Sequence, residues 1–339
     1  MAKKQHVMSL LILSSLILGL TGCTEMVADK HEPSHDTTVK ETSTTTLKVE
    51  ETSKKLLVNS IGVDVKLKVN EKDPKAFAIE GKKSIVQTYD DKDQLAIVLT
   101  QVTKKKNDTV TINVGQDSLK SVIIDLKNSN LEVEGEFKGD TLAVTSQKSK
   151  LVFVDSIKTN DVSFKLEESN LEATDLEVSD ATFTANQGSF KFDAVQSNTL
   201  DVDLVRGSFV TKETEGHLAL SANQGDIKVG NIKGSAAIKV EEGSVIGNFK
   251  ELEDALVLEA QKGQVKLLLP EKLAFSYEAK GEKGTISTDF DDKLKIHDGL
   301  ATGTVNSNPN VKVKVKAKGG VIDIRRPQKG ENDKDAKNN

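Results

Sequence analysis

The sequence predicts an all-β chain, wound as a single-domain parallel β-solenoid of about 18–21 residues per coil with an N-terminal β cap. Three observations predict it. First, a small residue recurs at a turn: Ser129, Ser149, Ser169, Gly188, Gly207, Gly225, Gly243, Gly263 and Gly284, spaced 18 to 21 residues apart. Second, apolar columns keep fixed offsets from it. Two places after the turn stand Leu131, Leu151, Leu171, Phe190, Phe209, Ile227, Val245, Val265 and Ile286. Five places before it stand Ile124, Val144, Phe164, Phe183, Val202, Leu220, Ile238, Leu258 and Ala279, and seven before it Val122, Leu142, Val162, Ala181, Leu200, Leu218, Ala236, Leu256 and Tyr277. Apolar residues two apart share one face of a strand, so each repeat reads as two short strands with a corner between them. Third, the unit is too short to stand alone. A few buried side chains at roughly 1.5–3 kcal/mol each do not offset about 1–2 kcal/mol per ordered residue, so neighbours must stack. An antiparallel sandwich or meander of hairpins is the alternative. Strands of about five residues are too short for a membrane barrel, which needs roughly 9–11.

Taken in order, residues 1–22 read as a signal peptide, with Lys3 and Lys4 ahead of an apolar Val7 to Leu20. The run Leu20-Thr21-Gly22-Cys23 resembles the lipobox of bacterial lipoproteins. That resemblance implies a diacylglycerol on the Cys23 thiol and cleavage just before it; a secretory signal with a chance Cys is the other reading. Cys23 is the one cysteine of the chain, so no disulfide competes for it. Residues 23–55 are Thr-, Ser-, Glu- and Lys-rich and predict a disordered tether. His31 and His35 lie there among carboxylates, either as a weak surface metal site or as plain polar linker. Residues 56–120 carry strands of looser rhythm and read as the cap covering the first coil's open edge. Residues 121–326 hold the repeats, with Val313, Val315, Gly320, Ile322 and Ile324 returning to the same columns. Residues 327–339 read as a disordered tail.

Composition narrows the function classes. The net charge is −5, Trp is absent, and aromatics make up 4% of the chain. No basic block with interleaved aromatics appears, which excludes a nucleic-acid footprint, and the interior is expected to be aliphatic and slim.

The opening Val58-Asn59-Ser60-Ile61-Gly62-Val63-Asp64-Val65, the repeated coils and the ending Lys318-Gly319-Gly320-Val321-Ile322-Asp323-Ile324 are similar to the bacterial putative-adhesin family of β-solenoid envelope proteins. The similarity spans roughly residues 56–326. It implies an exported or membrane-anchored protein, carries no catalytic residue or ligand set, and suggests proximity to envelope-stress regulators.

The search for chemistry finds no metalloprotease, nucleophile-elbow or phosphate-loop motif. His217 and His297 are single. Asp155 and Asp175 fall six places after their turns and Asp193 five, so stacking could align them as a calcium ladder or as solvated loop corners. Lys148 with Glu168 and Glu242 with Lys262 predict surface ion pairs between coils, worth up to about 1 kcal/mol each. Ile123, Ala143, Ala219, Ala237 and Val257, six places before the turn, form a semi-apolar outer strip that reads as a partner surface or as ordinary small residues. Lys312, Lys314, Lys316 and Lys318, followed by Arg325 and Arg326, form a basic row. It reads either as an edge attracting anionic wall polymer or lipid headgroups, or as edge-strand lysines blocking sheet-to-sheet pairing.

The expected function is a lipid-anchored, extracytoplasmic, non-catalytic binding or structural module of the bacterial envelope. It has no cofactor, no metal and no nucleic-acid partner. Its partners are the membrane through lipid on Cys23, and an anionic cell-wall polymer or an envelope protein. An accessory of envelope-stress signalling is the alternative, and a polysaccharide-active β-helix enzyme a further one.

Overall fold

Parallel pairing in register carries the three apolar columns from coil to coil. Val122 lies beside Leu142 and Ile124 beside Val144. Leu142 in turn lies beside Val162, and Val144 beside Phe164. Beyond the corner, Leu131 pairs with Leu151, and Leu151 with Leu171. The same register returns later, where Ile227, Val245 and Val265 stand on successive rungs. Apolar side chains of these columns are buried from Val122 to Leu256. The computed structural model describes residues 47–48, 55–73, 77–82, 85–91, 94–101, 107–116, 120–290 and 299–327. These belong to one compact unit, Thr42–Asn339. Cys23, the signal peptide, His31, His35 and His297 lie outside the described residues. Among the described residues no helix is long and apolar enough to cross a membrane.

Each coil has a third side that the two-strand reading missed. Phe137, Ile157 and Leu176 pair in succession on it, and Val195, Thr214 and Ile232 continue the buried column. The offset from the turn slips from eight residues to seven after the Ser149 coil, which hides this column from a fixed-offset search.

The corner works differently from a simple flexible joint. The left-handed residue is the one before the small residue: Asn128, Lys148, Glu168 and Gln187 have φ between 48° and 60°. The small residue is needed because the next coil comes close. In the first coils it is serine: the Ser149 and Ser169 hydroxyls donate to the carbonyls of Gln147 and Glu167 and accept from the N–H of Ser129 and Ser149. Further along it must be glycine. A Cβ on Gly207 would sit 1.9 Å from the Gly188 carbonyl oxygen, and Gly207 has φ of 131°.

The interior is also more aromatic than the composition suggested. Phe153, Phe164, Phe183, Phe190, Phe192 and Phe209 gather in neighbouring coils, with Phe183 5.1–5.8 Å from four of the others. Scarce aromatics are concentrated here instead of being spread along the stack.

The stacking order departs from chain order at both ends. Strand Lys55–Ile61 sits between Ser121–Lys127 and Gln94–Thr100, parallel to both. Strand Val63–Asn70 likewise sits between Asp108–Gly115 and Leu131–Glu134. At the other end Val311–Ala317 sits between the Leu256 rung and Phe275–Gly281, and Val321–Arg325 between Gln264–Leu268 and Thr285–Thr288. The first and last coils are therefore inserted one place in from the ends. Antiparallel strands cover what lies outside them: Val86–Asp91 on Gln94–Thr100, Phe77–Glu80 on Asp108–Gly115, and Gly299–Val305 on Phe275–Gly281. The wholly parallel expectation is corrected to a mixed sheet, parallel along the repeats and antiparallel at its margins. Of these pairs, Val86–Asp91 and Gln94–Thr100 are joined by a short hairpin connection, which serves antiparallel neighbours and cannot serve parallel ones.

Candidate functional site

One outward column, three places after each turn, changes character along the stack. It reads Glu132, Val152 and Glu172, then Lys191, Val210, Lys228, Ile246 and Lys266. Register places Glu132, Val152 and Glu172 on adjacent rungs, and Lys228, Ile246 and Lys266 likewise. In the acidic half the charges are answered: Lys66 Nζ lies 2.9 Å from Glu132 and also bridges Glu134, and Lys150 lies 3.9 Å from Glu172. In the basic half no ion pair among the described residues reaches Lys191, Lys228 or Lys266. The next rung, Asp323, accepts from Ser287 and Arg325 and ends the stripe.

The basic half borders a groove of about 670 Å³. Its lining includes Val210, Lys228, Ile246 and Lys266, with Asn231, Asn248 and Lys250. Four lysines and one glutamate, Glu213, line it; Lys212 is occupied by Asp193 at 2.8 Å. The groove adjoins a bulge. Between paired positions the Gly225 coil holds Gly230 and Asn231 where the Gly243 coil holds Asn248 alone. Asn231 takes φ of 45° there. Such an extra residue bends its strand and re-aims the side chains beside it. Ile246 stays 47% exposed on the floor.

A second, more open groove of about 770 Å³ follows the third corner, past Thr159, Ser197, Gly216 and His217. His217 Nδ1 is 2.5 Å from Ser235 Oγ, and no carboxylate orients its ring. Nearby, Glu136 accepts from Ser156 at 2.9 Å and bridges Lys138 and Lys158. The Lys138 ammonium, aided by Ser156 and Lys158 against partial burial, holds the Glu136 carboxyl down at about 2.

The residues singled out from the sequence separate. No paired register joins Asp155 to Asp175, and the pairing shifts by one residue between Phe153 with Ala173 and Ile157 with Leu176. Asp155 instead accepts from the Gly135 N–H at 2.8 Å, capping the neighbouring corner. No group of three or more metal-competent side chains occurs among the described residues. The predicted ion pairs form, Lys148 with Glu168 at 3.8 Å and Lys262 with Glu242 at 3.0 Å. The semi-apolar strip is broken: Ser163 and Thr182 follow Ala143, and Lys314 follows Val257. The edge-strand reading of the basic row is corrected, since Val311–Ala317 is an inner strand with parallel neighbours on each side. Lys316 pairs with Glu282 at 3.5 Å, and Lys318 pairs with Glu259. Arg325 pairs with Asp323, and Arg326 lies 4.6 Å over the Phe290 ring. The Lys191–Lys266 column was missed because its alternation appears only when residues about 19 apart are read together.

Stacked three-sided coils with antiparallel margins define a β-solenoid-like, all-β protein that presents long outward columns. Comparison then places it: the chain belongs to the Toastrack DUF4097 family, which matches residues 23–325. Among solved structures it is similar to a putative adhesin from Parabacteroides merdae. The two are 13% identical with a TM-score of 0.51, over 67% of this chain and 96% of that one. A putative adhesin from Parabacteroides distasonis is 12% identical (TM-score 0.49; 67% and 98% covered), and one from Bacteroides fragilis 13% (0.43; 85% and 98%). At such identities the likeness concerns the fold alone, and the Parabacteroides merdae protein carries it. No curated protein matches the chain.

Proposed function

We propose that this chain is a non-catalytic binding module of the bacterial envelope, held to the outer face of the membrane by lipid on Cys23. The observation that carries the binding reading is the groove at Val210, Lys228, Ile246 and Lys266. It is built on sheet and bordered by Lys228, Lys250 and Lys266, which no ion pair among the described residues reaches. Its side chains are mainly ammonium groups, amides and aliphatics, a set suited to holding a ligand, with one carboxylate, Glu213, and one hydroxyl, Thr211. The Thr211 hydroxyl donates to the Glu213 carbonyl oxygen at 2.8 Å, whereas covalent catalysis needs a nucleophile beside an oriented base. The similar fold of the Parabacteroides merdae protein, described as a putative adhesin, supports the same reading. The anchor rests on the Leu20-Thr21-Gly22-Cys23 run and on the polar composition of the stretch that follows it.

The test has two arms. Cys23→Ala should move the protein from the membrane fraction to the soluble exported fraction, and unchanged fractionation would defeat the anchor. The purified protein should be retained by isolated cell-wall material without consuming it. Turnover of that material would replace the binding reading with an enzymatic one.

A further inference from the structure

The outward column that borders the groove has a period of its own. By offset from the turn a lysine occupies every second repeat from Lys191 to Lys266, with Val210 and Ile246 between, and the register sets Lys228, Ile246 and Lys266 on successive rungs. Rungs of a sheet lie about 4.8 Å apart, so successive lysines rise roughly 9–10 Å from one another along the stacking direction. Ile246 is 47% exposed, so the rung between two cations offers an apolar platform. Asn231 and Asn248 stand beside that platform, each with an amide that both donates and accepts. Glu213 is the one carboxylate on the lining, and Asp323 stops the stripe beyond Lys266.

We propose that this column binds an acidic polysaccharide carrying one carboxylate for every two sugars, laid along the stacking direction. The inference rests on the binding-module reading and names the ligand class of its groove. A linear pyranose chain advances by about one strand spacing per sugar. Its charged sugars therefore meet Lys191, Lys228 and Lys266, and its neutral sugars lie with their C–H faces on Val210 and Ile246. The asparagine amides meet the hydroxyls. A polymer charged at every unit would set half of its anions over aliphatic rungs, where desolvation is unfavourable.

Titration of the full-length protein with hyaluronate oligosaccharides, which alternate an acidic and a neutral sugar, tests the match. Binding is expected at low salt and should weaken as salt rises. A neutral cello-oligosaccharide of equal length should not bind. Lys228→Gln and Lys266→Gln should each weaken hyaluronate binding about fivefold, as an exposed charge pair allows. Lys165→Gln, on another side of the coil, should leave it unchanged. These lysines are exposed, so the variants should melt with the parent. Affinity that survives loss of all three lysines overturns the proposal, as does equal affinity for poly(glycerol phosphate). Retention by whole wall material with silence toward hyaluronate defeats this inference and leaves the binding-module reading standing. Silence toward both defeats both.

Discussion

Glu136 is the residue at which local electrostatics bear most directly on stability. Three partners, Lys138, Lys158 and Ser156, converge on one partly buried carboxylate and hold its pKa at about 2. A carboxyl depressed in the folded state stabilises it above the unfolded value of about 4.3, and this contribution is lost as pH falls through the folded value. Glu136→Gln should therefore lower the melting temperature by a constant amount above about pH 5. The gap from the parent should close as pH falls from about 4.5 toward 2. Thermal melts across that range check it, and a gap that stays constant to pH 2 would assign the effect to packing. At this scale the sequence was only half legible. Glu136 stands at no repeated offset, and although Lys138 is two residues along, Ser156 and Lys158 come from the adjoining coil, so its own neighbourhood shows only one of the three partners. The serine column at Ser129, Ser149 and Ser169 was legible, but its hydroxyl ladder was not, since that depends on the distance between coils.

Within the elements, the aromatic cluster marks where the coils pack most tightly. Phe183 is fully buried and contacts four other rings. Truncating such a residue removes its transfer free energy and leaves a cavity that stiff parallel sheets close poorly. Phe183→Ala should cost about 3–5 kcal/mol in chemical denaturation; a loss below about 1 kcal/mol would mean that the coils collapse over the gap. The columns holding Phe183, Phe190 and Phe209 were readable because strand periodicity and a repeated turn leave the same imprint in every coil. The third side was not. One residue is lost at the second corner between Ile157 and Leu176, a slip that costs the fold little because corners absorb it.

At the scale of the whole unit, the inserted first and last coils decide how the stack ends. Gly299–Val305 takes the outer edge of Phe275–Gly281, antiparallel to it. The final strand Val311–Ala317 then has the inner edge left to it, between that strand and the Leu256 rung. Ending the chain at Asn310 should remove a shared partner from both neighbours. Amide exchange should then accelerate in residues 256–268 and 275–288, while residues 122–240 keep their protection, as expected of nearest-neighbour stability in a repeat stack. If 275–288 stayed protected, those strands would be stacking in chain order and the insertion would be wrong.

By itself the sequence determined that this chain is all-β, where one corner of each coil falls, which side chains of the two strands beside it face inward, and that its coils must stack to be stable. Those properties follow from local spacing and from the free energy of burying apolar surface, and both are written into each repeat. Only the tertiary structure decided which coil neighbours which at the ends, and that Lys228 and Lys266, 38 residues apart in the chain, stand two rungs apart beside a groove. Repeats with the same apolar columns are interchangeable partners until edge hydrogen bonds and hairpin closure choose among them, and that choice depends on the assembled chain.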